Sequence, residues 1–464
     1  MKERIVRLAA LRLVNIKNVE NGRIIMPNAL HKRLAEKNAE VLGIYGQNGS
    51  GKTAVADTFY YLRKIMTGGH LEDDCAEYID ANFEQAEIEA EFIIYSGDII
   101  YEAGYRIILH KADQGVEILQ ESLGFAKHSD GFRSNKTVFM DYRRSEKTTV
   151  FTPKKRFYEA VEGDKERKTD LMVAKKIAEK SNCSYIFGEN SREIFCREYE
   201  NNFKDCSEII KALYRFADKE LIVIRSTHSG VILADVLLPV PFQMVGNGAA
   251  RNGNFRFPLK EPAIIHAEQK NILDTVLEQM NTVLYTIIPG LHLEIKDYGI
   301  QMTDSGEKGY KIELLSVRDN IPPIPIRMES DGIIKIISIM YVLIRAFGNP
   351  SVCLVIDELD SGIFEYMLGE LLDIFNRCAR GQLIFTSHNL RALEMLEEEN
   401  IMFSTNNPSN RFIHMKKIHC SRNLRDVYLR GITLGGQEEV IYEETDSLKI
   451  ARAFRKAGRN IRYE

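Results

Sequence analysis

One run of eight residues has the types and the spacing needed to hold a chain of phosphates. It reads Gly46-Gln47-Asn48-Gly49-Ser50-Gly51-Lys52-Thr53. Glycines let the backbone turn tightly and aim several amide groups at one cluster of anionic oxygens. Lys52 can place an ammonium group against the β- and γ-phosphates, and the Thr53 hydroxyl is suited to Mg²⁺. The run therefore predicts a P-loop that binds a nucleoside triphosphate and magnesium.

The residues on either side of the P-loop support this prediction. A short apolar run at 41–45 precedes it and is typical of a strand, and a helical pattern follows from about Lys52 to Leu62. The start of that helix adds the positive end of its dipole to the phosphate site. The alternative, a chance glycine-rich turn, is disfavoured because it would not require this strand and this helix.

A second set of candidate residues follows a continuous apolar run at 353–356 in the last third of the chain. Asp357 comes at the end of this predicted strand and can hold Mg²⁺ opposite Thr53. Glu358, one residue later, can orient or deprotonate the attacking water. Acids often end buried strands for structural reasons, so the catalytic interpretation depends on the P-loop upstream.

His388 is the third candidate for catalysis. It lies at the end of the next predicted strand, Gln382–Thr386, and can donate a hydrogen bond to the γ-phosphate. A lone histidine at a strand end is usually structural, and only the neighbouring carboxylates make it a site candidate.

The elements that must position these residues predict an α/β fold in three regions. Residues 1–125 form an N-terminal lobe with the P-loop, in which a mixed sheet surrounds one P-loop helix and an antiparallel β-meander follows. Residues 305–464 form a C-terminal lobe whose strand–helix–strand pattern is typical of a parallel sheet with its chemistry at the carboxyl ends of the strands.

The region between the lobes, 126–304, is predicted to be a mainly helical insertion. Apolar residues recur every three or four positions over 195–213 and again over 265–287, which indicates two amphipathic helices. Neither pattern continues long enough for an extended coiled-coil arm. The stretch from Pro239 to Pro258 is rich in Gly, Asn and Pro and is predicted to be an irregular loop.

Composition indicates a soluble cytoplasmic protein. The net charge is −4, the hydrophobic fraction is 44%, and the seven cysteines include no Cys-x-x-Cys pair, so reduced thiols are the simplest account. The N-terminus lacks a signal-peptide core, and the longest apolar stretch, 333–347, contains Lys335 and Arg345, so no membrane association is expected. Basic residues at 143–176 alternate with acids, which favours a solvated surface over a nucleic-acid surface.

Together these motifs resemble those of an ABC-type ATPase head of the SMC, Rad50, RecF and OLD kind. The residues that carry the resemblance are Gly46–Thr53, Ser330-Asp331-Gly332, Asp357-Glu358, Leu359-Asp360 and Ser387-His388. More narrowly, the chain resembles bacterial AAA_15/AAA_21-type ATPases, including the ATPase subunits of AbiL-, RloA- and PARIS-like anti-phage defence systems. The resemblance covers the two lobes and leaves the insertion uncharacterised.

The resemblance implies ATP and Mg²⁺ as cofactors and a homodimer, or a higher homo-oligomer, that holds ATP between two heads. Ser330 and Gly332 would bind the γ-phosphate held by a second protomer, and Asp360 would be the D-loop residue that reaches across the dimer. Asp331 stands where the transporter consensus has glycine, which leaves open how tightly the two heads close. The family also has a Q-loop glutamine near the metal, for which Gln85 is the candidate.

Several functions are compatible with these motifs. The first is a slow, partner-regulated ATPase switch that controls a separate nuclease or toxin in anti-phage defence or abortive infection. The alternative is a RecF- or SMC-like DNA-repair ATPase that binds DNA on its head dimer and would need a clustered basic face. A transporter subunit is disfavoured by the long chain between Lys52 and Ser330. A P-loop scaffold that binds ATP and scarcely hydrolyses it is the fourth alternative.

Overall fold

The structure is a computed structural model of the 464-residue chain. It describes residues 4–33, 37–113, 115–129, 131–225, 237–246, 249–259, 261–302, 306–414, 424–434, 439–441 and 446–459.

Strands and helices alternate irregularly along the described chain. The strands are β1 (Ile5–Ile16), β2 (Val19–Ile25), β3 (Glu40–Tyr45), β4 (Gln85–Ser96), β5 (Ile99–Lys111), β6 (Val116–Ser129), β7 (Phe132–Arg133), β8 (Thr137–Arg143), β9 (Leu221–Ile224), β10 (Leu237–Gly246), β11 (Ala249–Pro258), β12 (Ala263–Ile265), β13 (His292–Met302), β14 (Lys308–Arg318), β15 (Ile321–Pro325), β16 (Cys353–Ile356), β17 (Gln382–Ser387), β18 (Ile401–Ser404) and β19 (Phe412–Ile413). The helices are α1 (Pro27–Leu30), α2 (Lys52–Met66), α3 (Lys154–Val161), α4 (Lys165–Ser181), α5 (Glu189–Phe195), α6 (Lys204–Arg215), α7 (Ala267–Ile287), α8 (Asp331–Gly348), α9 (Glu365–Cys378), α10 (Ala392–Met395), α11 (Leu424–Leu434) and α12 (Ser447–Arg459).

The core sheet has the strand order β19-β18-β3-β17-β16-β9. All its pairings are parallel except that of β18 with β19. Every residue of β3, β16 and β17 is buried, as expected for parallel strands that are covered on both faces. Because parallel strands end at the same edge, this order brings the P-loop, Asp357 and His388 to one edge of the sheet.

A second, antiparallel sheet has the order β2-β1-β4-β5-β6, with β7 and β8 pairing with β6. The successive strands β4, β5 and β6 form the predicted meander. Helix α2 lies between the two sheets, since its Phe59 and Ile65 share one core cluster with Phe92 of β4 and Val355 of β16. The predicted α/β class, with a mixed sheet around the P-loop helix, a β-meander and helices inserted between the lobes, is confirmed.

The region between the lobes contains more strands than the sequence predicts. Helices α3 to α6 pack into the core cluster that contains α2 and the antiparallel sheet, but β9 joins the core sheet beside β16. Its four apolar residues are too few for periodicity to distinguish a strand from a buried helix. Strand β6 also crosses the predicted boundary at 125, and β13 pairs with β14 across the boundary at 304.

Two local predictions in this region are wrong. Pro239 to Pro258 is not an irregular loop, because β10 and β11 pair along their whole length. Pro239 and Pro241 are two positions apart, so both nitrogens can point to the unpaired edge of this two-stranded ribbon. The helical run predicted over 195–213 is interrupted between α5 and α6. There the Asn201 side chain bonds to the Phe203 amide and to the Glu159 carbonyl, which competes with helical hydrogen bonding.

The C-terminal part surrounds a second core cluster, in which α8 is the main element. Ten of the 18 residues of α8 are buried, including Ile337 and Val342, and they share this cluster with α7 and β14. No helix in the described part of the chain is long and apolar enough to cross a bilayer.

Candidate nucleotide-binding site

The P-loop has the backbone conformation that its glycines permit. Gly51 ends the loop immediately before α2 and has a φ of 89°. This is the left-handed region of backbone conformation, which L-residues with a side chain rarely adopt. Gly46 is required for a different reason: a Cβ atom there would lie 1.8 Å from Ser404 Oγ. The loop therefore depends on glycine both for its turn and for the close approach of its neighbours.

Residues distant in sequence support the loop from outside. The hydroxyl groups of Ser50 and Ser404 are hydrogen-bonded, and Ser404 Oγ also donates to the Tyr45 carbonyl at 3.0 Å. The side-chain amide of Asn18 donates from Nδ2 to the Gly49 carbonyl, and the Arg411 side chain donates to the backbone carbonyl of Asn18. The P-loop thus rests between the β1–β2 turn and the segment after β18. The sequence offers no local signal for Asn18, Ser404 or Arg411.

Lys52 lies at the first position of α2 and is buried. Its Nζ atom donates to the carbonyls of Gly46 at 2.8 Å and Gln47 at 2.9 Å. Burial lowers the pKa of Lys52 to about 8, against the opposing effect of the Asp357 and Glu358 charges. No side chain caps the N-terminus of α2, so the first amides of this helix can receive an anion.

Asp357 follows β16 directly and is fully buried. Its amide donates to the carbonyl of Ile224, and its Oδ1 accepts from Thr386 Oγ1 at 2.5 Å. Its Oδ2 is buried and accepts no hydrogen bond from any residue that the structure describes. A buried carboxylate oxygen left without a donor is costly unless a cation binds it. Asp357 therefore fits the role of a Mg²⁺ ligand.

Thr53 follows Lys52 on α2 and is half-buried, so its hydroxyl can serve the same cation. Within the described ranges, no group of three or more His, Cys, Asp or Glu side chains could hold a metal ion. Magnesium usually takes one or two protein ligands and completes its shell with phosphate oxygens and water. Thr53 and Asp357 have the chemistry of such a shared site.

Glu358 has the left-handed φ of 51°. Its amide donates to Thr386 Oγ1 at 2.7 Å, and its carbonyl accepts from Lys335 Nζ and from the Ser361 amide. Non-glycine residues in this conformation cost about 1–3 kcal/mol and cluster at functional sites. Hydrogen bonds from neighbouring residues thus fix the turn at Glu358, and this turn sets the direction of its half-buried side chain.

Asp360 and His388 are joined directly. The His388 amide donates to Asp360 Oδ2 at 2.9 Å, and the imidazole lies close to the Gly46 backbone. Neighbouring atoms desolvate the ring and, together with the Lys52 charge, lower the pKa of His388, although its side chain lies at the exposed rim. The lowered pKa favours the neutral imidazole, whose ring is hydrogen-bonded to the Gly46 backbone.

Ser330 and Gly332 lie at the start of α8. Ser330 is the N-cap and is exposed, and Asp331 beside it is exposed as well. A Cβ atom on Gly332 would lie 2.1 Å from the Gly362 carbonyl, so this turn packs tightly on the loop that contains Asp360. In the described chain no hydrogen bond joins Ser330 to the P-loop of the same molecule.

Gln85 is on a different sheet from Asp357. It is the exposed first residue of β4, in the antiparallel sheet, and its carbonyl accepts from the Asn15 side chain. No hydrogen bond among the described residues connects its side chain to Thr53 or Asp357. On the other side of β16 from β17 lies β9, and β9 is followed by Arg225, for which the sequence contains no site motif.

Arg225 belongs to a buried ion cluster on α2. Asp57 is fully buried, and its two oxygens contact Arg225 Nη1 at 3.3 Å and Lys17 Nζ. The Arg225 guanidinium lies 3.7 Å from the centroid of the Tyr60 ring. Asp57 therefore ties the P-loop helix to the β1–β2 turn and to the end of β9.

Comparison with known proteins finds likeness only among solved structures. No protein-family model matches the chain, and no curated protein does. An SMC head bound to the C-winged helix domain of ScpA is 12% identical, with a TM-score of 0.39, and 88% of this chain and 96% of that chain are covered. The Smc head of Pyrococcus furiosus is 13% identical, with a TM-score of 0.40 and coverages of 97% and 100%. The SMC head domain of Thermotoga maritima is 12% identical, with a TM-score of 0.38 and coverages of 89% and 100%. Since these TM-scores are low, the fold assignment depends on the strand order described above.

Proposed function

We propose that this chain binds ATP with Mg²⁺ and hydrolyses it between two copies of itself, as a switch that controls a partner protein. The observation that carries the proposal is the buried Asp357 Oδ2, which has no hydrogen-bond donor among the described residues and lies at the sheet edge that also holds the P-loop. A site with a cationic lysine, an open helix N-terminus and an unsatisfied carboxylate is suited to a magnesium-bound triphosphate.

The residues at this edge then have distinct tasks. Backbone amides of 46–53 and the Lys52 ammonium hold the phosphates, while Thr53 and Asp357 hold the cation. Magnesium, when bound, withdraws charge from the phosphate oxygens. Glu358 orients the attacking water or accepts its proton, and the imidazole of His388 donates to the γ-phosphate.

The exposure of Ser330 supports a site shared between two copies. The first amides of α8 are not capped by a side chain, and Ser330 and Gly332 accompany them. Such a helix start can bind the γ-phosphate of a nucleotide on another protomer. A ligand shifts an association equilibrium only by binding the associated state better, and a contact made only in the dimer supplies that difference.

The identity of the partner comes from the resemblance alone: a nuclease or toxin in anti-phage defence. One observation favours DNA as a second candidate. Helix α12 contains no acid, and its Lys449, Arg452, Arg455 and Lys456 are all exposed. A run of exposed cations of this kind can bind phosphates without reading sequence.

The test is ATP turnover and sedimentation of the purified full chain with and without MgATP. Wild-type protein should hydrolyse ATP, and Glu358→Gln should retain ATP, lose most turnover and sediment as a dimer or larger oligomer. The exposed substitution Lys176→Ala is the control. Unchanged turnover in Glu358→Gln would overturn the assignment of that residue, and a monomer under every nucleotide condition would overturn the shared site. Salt-dependent binding of duplex DNA by the ATP-bound form would favour the second candidate.

A further inference from the structure

Lys335 is a buried lysine near the candidate site, and its environment calls for an explanation. It lies on the second turn of α8 with 9% of its surface exposed. Lysine is almost never buried without partners. Its Nζ atom donates to the carbonyl of Glu358. Burial lowers the pKa of Lys335 to about 8, against the opposing charges of Asp360, Glu358 and Asp357.

The contact falls on the one residue of the candidate site whose backbone is strained. Glu358 has φ 51°, and its peptide groups are held on both sides. On one side its amide donates to Thr386 Oγ1, which itself donates to Asp357 Oδ1. On the other side its carbonyl accepts from Lys335 and from the Ser361 amide at 3.1 Å. The side chain that would face the water is therefore aimed by its backbone contacts.

The helix that carries Lys335 is itself fixed against this loop. Gly332 packs so closely on the Gly362 carbonyl that no side chain could fit between them. Lys335 lies one turn further along α8, on the face that turns toward Glu358. Its ammonium group therefore approaches the Glu358 carbonyl from a helix whose start is fixed against the loop that follows this residue.

We propose that Lys335 is a positioning residue for Glu358, which holds the left-handed peptide and thereby aims the carboxylate at the attacking water. The proposal rests on the ATPase function proposed above. In this role Lys335 acts through the Glu358 carbonyl and not by contact with the nucleotide. Its loss should therefore reduce the rate of the hydrolytic step and leave ATP binding intact.

The test compares Lys335→Met with a matched variant, Lys175→Met. Lys175 is also buried and donates to three backbone carbonyls, those of Arg143, Glu146 and Thr149, in the insertion. Lys335→Met should lower kcat by about tenfold to a hundredfold, the scale of a small misplacement of a catalytic group, with KM for ATP changed less than about twofold. Lys175→Met should lower the midpoint of unfolding and leave kcat per folded molecule unchanged.

A double variant separates positioning from a purely structural role. If Lys335 acts through the Glu358 carboxylate, adding Lys335→Met to Glu358→Gln should reduce the residual single-turnover rate no further. A second, independent loss of the same size would overturn the proposal, and so would a rise in KM at constant kcat. If Lys335→Met does not fold, Lys335→Gln, whose amide can still donate to a carbonyl, should show the same pattern with a smaller loss. Inactive wild-type protein would refute the proposed function, whereas active wild type with equally active Lys335→Met would refute only this inference.

Discussion

The guanidinium group of Arg7 donates two hydrogen bonds to Glu40 Oε2, from Nε at 3.1 Å and from Nη2 at 2.7 Å. Only 2% of either side chain is exposed. Arg7 lies on β1 of the antiparallel sheet and Glu40 begins β3 of the core sheet. Arg7 also donates to backbone carbonyls, and Gln382 on β17 donates to Glu40. A fully satisfied polar network thus joins the two sheets at the edge of the core sheet opposite the candidate site.

Removal of Arg7 alone should be strongly destabilising. In Arg7→Met the Glu40 carboxylate stays buried without its cation, so the free energy of unfolding should fall by about 3–5 kcal/mol. The double variant Arg7→Met with Glu40→Gln removes the unpaired charge and should recover part of that loss. Urea unfolding at pH 7 measures both. Equal losses in the single and the double variant would show that packing, and not the buried charge, sets the effect.

Lys52→Ala should weaken ATP binding at least about 30-fold. Removal of one partner of a desolvated charge pair costs about 2–5 kcal/mol, and Lys52 is the buried cation that the P-loop offers to the phosphates. Titration calorimetry with MgATP provides the measurement, and circular dichroism checks the fold. The exposed variant Lys176→Ala should bind as the wild type does. If Lys52→Ala bound MgATP as tightly as the wild type, the phosphates would not bind at the P-loop.

Two inactive variants should complement each other if the site is shared. Ser330→Arg blocks the start of α8 but keeps its P-loop, whereas Lys52→Ala keeps Ser330 and loses the P-loop cation. A mixed dimer then contains one intact site. An equimolar mixture should regain about a quarter of the wild-type rate, because half of the dimers are mixed and each has one of two sites. A mixture as inactive as its components would indicate a site built within one chain.

Stability should fall as the solution becomes acidic. Burial lowers the pKa of His414, whose Nδ1 lies 3.0 Å from the Ile401 carbonyl, and the pKa of His388 is lowered as well. An unfolded histidine has a pKa near 6.5 and binds its proton first, so the stabilisation present above about pH 6.5 is lost as the pH falls below it. Urea midpoints at pH 7.5 and 5.5 should show a smaller drop in His414→Gln than in wild type. An equal drop in both proteins would show that His414 does not contribute to the loss of stability at low pH.

Local patterns predicted the parts of the site that are local. The P-loop is one continuous segment between its own strand and helix, and Asp357 directly follows a short apolar run that predicts a buried strand. His388 and Glu358 followed from the same reasoning. The supports of the P-loop were missed because Ser404 and Arg411 reach it across more than 350 positions of chain. The order of strands in a sheet is also set by contacts between distant parts of the chain. The sequence around Gln85 and around Arg225 therefore does not indicate that the strand before Arg225 pairs with the strand before Asp357.

The pairing of Glu40 with Gln382 in the core sheet has a consequence for how the chain is made. Both strands that pair with β3 lie in the last fifth of the sequence. During synthesis β3 is therefore made long before its partners, whereas the antiparallel sheet can already assemble from consecutive hairpins. Contacts of such long range form slowly and leave apolar strands exposed in the meantime. A nascent or truncated chain that ends before Gln382 would therefore leave the apolar strand Val41 to Tyr45 exposed and prone to aggregation, and would lack the sheet edge that carries the candidate site.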